Sequence, residues 1–250
     1  MPTQEADTVL ETIQKRVSAR IPFDPGRNIP KEDMQRIAEA ARWAPTAHNM
    51  QNFELIIVDD KELLESIGNI NMPISKAFIR ENIPLLSFSE EEWRQRKVGI
   101  LGNFFPKSWL NPDAWEGDGV VQEKEEETSR SRFQGDLIAN CSALVVILYD
   151  PTHRAPASEG DFLGIMSLGC MLENIWLEAN ALGINFHIVS SLAVDPAATE
   201  IKKILNVPDP WTVSLTIRLG YTEELFDYMR VRRDIEDFVH HNQYDNKGLD

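Results

Sequence analysis

Two arginine clusters carry the clearest chemical potential in this chain: Arg16-Val17-Ser18-Ala19-Arg20 near its start and Arg230-Val231-Arg232-Arg233 near its end. A guanidinium presents paired, permanently charged donors in a plane that matches phosphate. The remainder of the chain is acidic, with a formal net charge of -15, so its general surface repels polyanions. Concentrated cations in such a background point to a local anion site. A third marked segment, Ala44-Pro45-Thr46-Ala47-His48-Asn49-Met50-Gln51, is small and polar where a helix must stop.

The elements that must position these groups follow from periodicity. Val9, Ile13 and Val17 have helical spacing, which predicts a helix over Val9 to Ser18 with the first cluster at its C-terminal end. Pro30 opens a second helix whose Met34, Ile37, Ala38 and Ala41 share a face. The residue before Pro45 is pushed out of helical geometry, which leaves Thr46 to Gln51 as a loop. Phe53 to Val58 reads as a buried strand, followed by a helix over Glu62 to Ile67. Ala143 to Tyr149, Ile184 to Ser190 and Val213 to Leu219 read as further strands. Asp161 to Leu182 reads as a long apolar helix closed by Gly183, and Thr199 to Leu205 as a short one. The expected class is α+β, a central sheet flanked by helices.

From about 70 to 133 the pattern breaks. Trp93, Phe104, Phe105, Trp109 and Trp115 stand among loop formers and an acidic run, Glu123 to Glu127, which predicts an insertion or lid. No repeat or Gly/Ser/Pro-rich linker divides the chain, so a single domain over 1–250 is expected, with that insertion inside it.

Several chemistries lack their motifs. GxGxxG and Walker A loops are absent, as is a GxSxG elbow. The five histidines are scattered apart from His240-His241, whose neighbours on a helix would diverge, so no metal site is expected. Cys141 and Cys170 lack CxxC spacing and read as buried small residues. The acidic balance opposes nucleic-acid binding, and no stretch reaches the roughly 18 unbroken apolar residues of a membrane span. A polar start without a signal-like apolar run predicts a soluble, cytoplasmic protein.

Taken in order, Arg16 to Arg20, Ala44 to Gln51, Leu172-Glu173-Asn174-Ile175-Trp176-Leu177-Glu178-Ala179 with Ala181-Leu182-Gly183, and Leu219-Gly220-Tyr221 resemble the nitroreductase family of FMN-dependent oxidoreductases. The resemblance covers roughly 9–68 and 136–244 and implies a mixed, mainly antiparallel sheet. It implies that Arg16 and Ser18 hold the FMN phosphate while Arg20 reaches the ribityl chain and pyrimidine edge. Arg230 and Arg232 would close on the same phosphate; Arg233, followed by Asp234, suits a surface ion pair as well. Pro45, Thr46, Ala47 and Asn49 would reach the flavin of the partner subunit in a homodimer, although the same stretch can be only a helix stop and turn. Ile188, Val189, Ser190 and Ser191 would pass along the ring, with the Ser190 N–H at flavin N5; an ordinary strand end is the plainer reading. Gln134 matches a polar contact to the pyrimidine.

Val17, Thr46 and Asn52-Phe53 depart from the family's frequent residues yet keep hydroxyl and amide chemistry. The activity implied is hydride transfer from NAD(P)H to tightly bound FMN and then to an electrophilic acceptor, a nitroaromatic or quinone, in a ping-pong cycle with no assigned catalytic side chain. A specialised reductase such as a reductive dehalogenase, and a flavin-binding protein without turnover, are the alternatives. Phe104, Phe105, Trp109 and Trp115 are candidates for stacking on substrate.

Overall fold

A computed structural model describes residues 3–72, 75–102, 116–120, 130–156, 158–224 and 230–249. In chain order the elements are α1 (Gln4–Lys15), α2 (Lys31–Arg42), β1 (Phe53–Val58), α3 (Lys61–Gly68), α4 (Lys76–Leu86), β2 (Ser87–Phe88), α5 (Glu90–Arg96) and β3 (Ile100–Leu101). They continue as α6 (Arg130–Ala139), β4 (Ala143–Tyr149), α7 (Phe162–Ala181), β5 (Asn185–Ile188), α8 (Ala197–Ile204) and β6 (Thr212–Gly220). The chain divides into two compact units, Met1–Met72 with Thr128–Leu225, and Pro73–Glu127 with Phe226–Asp250.

The first unit is built on a four-stranded sheet in the order β1-β4-β6-β5, every neighbouring pair antiparallel. The seven residues of β4 are all buried because strands flank it on both sides, which explains its unbroken apolar run. β1 occupies an edge. The sequence led us to expect a buried strand there, but its residues are only partly covered, since one side of an edge strand has no ladder partner.

One sheet face presents Val145, Ile147, Ile217 and Leu219, and Ile37 and Ala41 of α2 with Met171, Ile175 and Ala179 of α7 pack against it. Strand alternation assigns Leu144, Val146, Leu148, Thr216 and Arg218 to the opposite face. Each fully buried aliphatic side chain contributes about 1.5–3 kcal/mol relative to exposure.

α7 departs from the usual amphipathic pattern. It is long and apolar enough, by length and composition alone, to cross a bilayer, yet its buried stripe (Gly164, Ser167, Met171, Ile175, Ala179) packs into the core. Its carboxylates Glu173 and Glu178 pair with Arg16 and Arg36. Gly183, at φ 71°, sits just beyond the helix end and supplies the left-handed residue that the expected stop requires.

Three expectations need correction. The first helix begins at Gln4, with the Thr3 side chain accepting from the Ala6 N–H, and it ends at Lys15 because Arg16 is already extended, at ψ 138°. Its apolar stripe is exposed within the chain: Val9, Leu10 and Ile13 are all open to solvent. Within the expected insertion, residues 75–102 are largely helical, not irregular. α5 carries a capping box between Ser89 and Glu92, and Trp93 is buried with its indole N–H on the Gly99 carbonyl. Cys170 is only half-buried; Cys141 is buried. Phe104, Phe105, Trp109, Trp115 and the acidic run lie outside the described residues.

α3 and α6 cross in close contact through two glycines. A Cβ on Gly135 would lie 2.2 Å from the Gly68 carbonyl oxygen, and one on Gly68 would lie 2.6 Å from that of Gly135. Both obstacles are backbone, so neither can rotate away. Gly135→Ala is therefore expected to lower stability by about 1–3 kcal/mol, read from the urea midpoint; an unchanged midpoint would show that the crossing is looser than described.

Candidate functional site

Arg16 to Arg20 leave α1 as an extended segment laid beside β5. Ser18 bridges to Phe186 in parallel, and the Ala19 N–H donates to the Phe186 carbonyl at 2.8 Å. In extended backbone, side chains alternate, so buried Ala19 points inward while Ser18 and Arg20 face the other way, Ser18 half-buried and Arg20 exposed. The sequence pattern Arg-x-Ser-x-Arg thereby becomes one polar face. Its placement differs from the expected helix end, because the cluster continues past the helix as a strand-like strip.

Arg16 is held from two directions. Its Nε donates to Glu173 Oε1 at 2.7 Å, and its guanidinium carbon lies 4.5 Å from the centroid of Trp176. Trp176 in turn stacks on Phe186 at 4.6 Å and donates its indole N–H to the Val17 carbonyl at 3.2 Å. A partly exposed ion pair contributes little stability, about 0–1 kcal/mol, so its main consequence is to fix the plane of the guanidinium.

Beyond β5 the chain leaves the ladder at Val189, whose N–H donates to the Thr216 carbonyl at 2.9 Å. Ser190, exposed, then opens a short turn over Ser190–Ala193, where the first N–H groups of a helical turn lack partners within it. Ser191 Oγ donates to Gln134 Oε1 at 3.3 Å and lies 3.5 Å from Met72 Sδ. Ile188 to Ser191, Gln134 and the Arg16 to Arg20 strip thus all belong to β5 and its immediate surroundings.

The Pro45 to Gln51 loop lies elsewhere. The Ala47 N–H donates to Ser167 Oγ at 3.1 Å, Thr46 Oγ1 accepts from the Gln51 N–H at 3.3 Å, and the Gln51 side-chain amide donates to Asn49 Oδ1 at 3.0 Å. His48, Asn49 and Gln51 all have positive φ, which makes the loop a tight polar knuckle. Pro45 and Asn49 are exposed. Ser167 and Trp176 are nine helical positions apart on α7, about half a rotation out of phase and about 13 Å along the axis. The loop's anchor on α7 is thus well separated from the tryptophan that supports Arg16.

Arg230 and Arg232, in the second unit, are exposed, and Arg232 Nη1 donates to the Val231 carbonyl. Arg233 lies over the Phe238 ring, and Asp234 pairs with Lys97 rather than with Arg233.

Sequence reasoning missed the buried groups beneath the strip. Arg218, fully buried on β6, donates from Nη2 to the carbonyls of Ala19 (2.8 Å) and Ile21 (2.6 Å) and from Nε to His187 Nδ1 at 2.7 Å. The available signal was one arginine inside a strand otherwise read as core. Because His187 Nδ1 accepts, its proton resides on Nε2 and the ring is neutral. Burial, then the charges of Arg218 and Arg20, push its pKa from 6.5 down to about 3. Burial pushes the Cys141 thiol up to about 12, against a smaller opposing effect of Arg218.

A profile of the nitroreductase family matches residues 13–221. The chain belongs to the nitroreductase family. An Archaeoglobus fulgidus protein provisionally named NADH dehydrogenase/NAD(P)H nitroreductase is 22% identical over 219 residues, 88% of each chain. Among solved structures, a nitroreductase with bound FMN from Bacteroides fragilis shares 21% identity at TM-score 0.54, covering 90% of this chain and 94% of its own. Another with bound FMN, from Desulfitobacterium hafniense, shares 20% identity at TM-score 0.56, covering 94% and 98%. At these identities the structures establish the fold, in agreement with the α+β, mainly antiparallel architecture expected from sequence.

The lowered pKa of His187 couples stability to pH. Between about pH 6.5 and 3 the unfolded chain binds a proton at this residue that the folded chain does not, so stability rises with pH and falls on acidification. From pH 7.5 to pH 5 the wild type should lose about 2 kcal/mol through this group. His187→Gln, which cannot titrate, should show a correspondingly smaller loss in urea unfolding; equal losses in both proteins would rule out a buried neutral imidazole.

Proposed function

We propose that this nitroreductase-family protein is an FMN-dependent oxidoreductase that takes reducing equivalents from NAD(P)H and delivers them to an electrophilic acceptor such as a nitroaromatic or a quinone. The observation that carries this reading is the polar strip along β5, with Arg16, Ser18 and Arg20 on one extended segment and Ser190, Ser191 and Gln134 just past the strand. These donors suit FMN. A dianionic phosphate needs several charge-assisted donors, which Arg16 and Ser18 provide, and a pyrimidine edge needs a mixed donor and acceptor set, which Gln134 and Ser191 provide.

FMN, when bound, supplies the reversible two-electron chemistry that no amino-acid side chain has. The chain supplies orientation and charge. Arg20 would place a permanent cation beside the pyrimidine edge, and a pre-placed cation there is worth more than one recruited during reaction. Ser190 would offer a backbone N–H to the reacting edge of the ring, with Ile188 and Val189 beside it. No side chain is needed as general acid, since water can deliver protons. Donor and acceptor would occupy the site in turn, the ping-pong order. Arg230 and Arg232 are assigned to the phosphate on the resemblance alone.

We further propose a homodimer. Within one chain, the knuckle from Pro45 through Thr46 and Ala47 to Asn49 is anchored at Ser167, about 13 Å along α7 from the tryptophan that supports Arg16. The outward face of α7 meanwhile exposes Phe162, Ile165 and Met166. A long, mostly apolar helix that is buried on one stripe and exposes large apolar side chains at its start has a second surface to cover.

Anaerobic mixing with NADH and with NADPH tests the activity: bleaching of bound flavin by at least one donor is expected, followed by recovery with a nitroaromatic or quinone. Flavin that stays oxidised with both donors would reduce the protein to a binder without turnover. Arg16→Ala with Arg20→Ala should weaken FMN binding at least about a hundredfold, as loss of two charge-assisted contacts requires, while leaving the thermal midpoint nearly unchanged.

A further inference from the structure

A fully buried guanidinium is costly to desolvate, and an apolar side chain of similar volume commonly leaves a core as stable or more so. Arg218 nevertheless fills such a place on β6. Its contacts show what the charge does there. His187 is its cross-strand neighbour on β5, and Nε donates to the ring's Nδ1. Beyond β5, Nη2 grips the carbonyls of Ala19 and Ile21, nearly two hundred residues earlier in the chain. The guanidinium carbon also lies 4.1 Å from the centroid of the Phe23 ring. Residues 16–30 lie between α1 and α2 with no helix or multi-residue strand of their own, so their backbone depends on such individual bonds.

We propose that Arg218 is the positioning residue of the anion-binding segment: it locks the backbone of Ala19 and Ile21 from beneath, and the neutral His187 ring sets the angle of its fork, so that Ser18 and Arg20 face the ligand as a fixed pair. Lysine cannot replace it, since a point-like ammonium on a flexible stem does not span two carbonyls and an imidazole in one plane. Arg218 does not touch the ligand; it acts through the strip. This inference rests on the FMN reading and assigns the strip's rigidity to one side chain.

The test compares the dissociation constants of FMN and riboflavin, which differ by the phosphate alone, for the wild type, Arg218→Lys, His187→Leu and His187→Gln, with thermal midpoints recorded for each. The wild type should prefer FMN strongly. Arg218→Lys should weaken FMN at least tenfold more than riboflavin. His187→Leu, which leaves the Arg218 Nε–H without its acceptor, should shift the preference in the same direction by a smaller factor, and His187→Gln, which restores an acceptor, should recover it. The His187 pair decides the matter if Arg218→Lys does not fold. A wild type that binds both ligands equally would sink the FMN reading itself. A wild type that prefers FMN, with variants that keep the preference or lose both ligands in parallel, would overturn the positioning role alone.

Discussion

Everything in the candidate site depends on holding an extended cationic segment against the edge of a sheet. Like charges on neighbouring residues repel, and an exposed loop would let Arg16 and Arg20 spread into water. Three interactions oppose this. The Ala19 N–H ties the segment to β5. Glu173 and Trp176 hold the Arg16 plane. From below, Arg218 grips two carbonyls, and it can do so beside Arg20 because the intervening imidazole is uncharged and accepts a hydrogen bond. A protonated His187 would add a third cation to the cluster and remove the acceptor together.

α7 is the second organising constraint. Its inner stripe sits on the sheet and receives the loop at Ser167, while nine residues later Trp176, stacked on Phe186, supports Arg16. The helix thus anchors, at points about 13 Å apart, two groups of polar residues that family resemblance places around one ligand. In the homodimer proposed above, a second copy of the chain would resolve the separation, and the exposed apolar residues Phe162, Ile165 and Met166 of α7 would give that copy a surface. The Gly68 and Gly135 crossing has a comparable role for Gln134, because it sets how closely α6 approaches α3 immediately beside that residue.

Much of this was legible in the sequence. β1 and β4 were bounded correctly by their apolar runs, and α2 by Pro30 and Pro45. Gly183 marked the end of α7. What escaped was context. Nothing in Phe53 to Val58 says that β1 lies on an edge, and the spacing of Val9, Ile13 and Val17 continues through Arg16, where the backbone has already turned extended. The helices α4 and α5 were hidden because aromatic and turn-forming residues nearby masked short periodic stretches; the Ser89 to Glu92 capping box was the overlooked signal. In the candidate site, the expectation for Arg16, Ser18 and Arg20 came from residue types and order, and that for Ser191 and Gln134 from the family resemblance. Arg218 and His187 were not readable, because burial and cross-strand pairing are tertiary facts.

The most direct measurement is the visible absorption spectrum of the protein after purification and dialysis. A pinned phosphate-binding strip predicts retained oxidised flavin, extractable as FMN at about one per chain. A colourless protein that stays colourless after incubation with excess FMN and renewed dialysis would contradict the account.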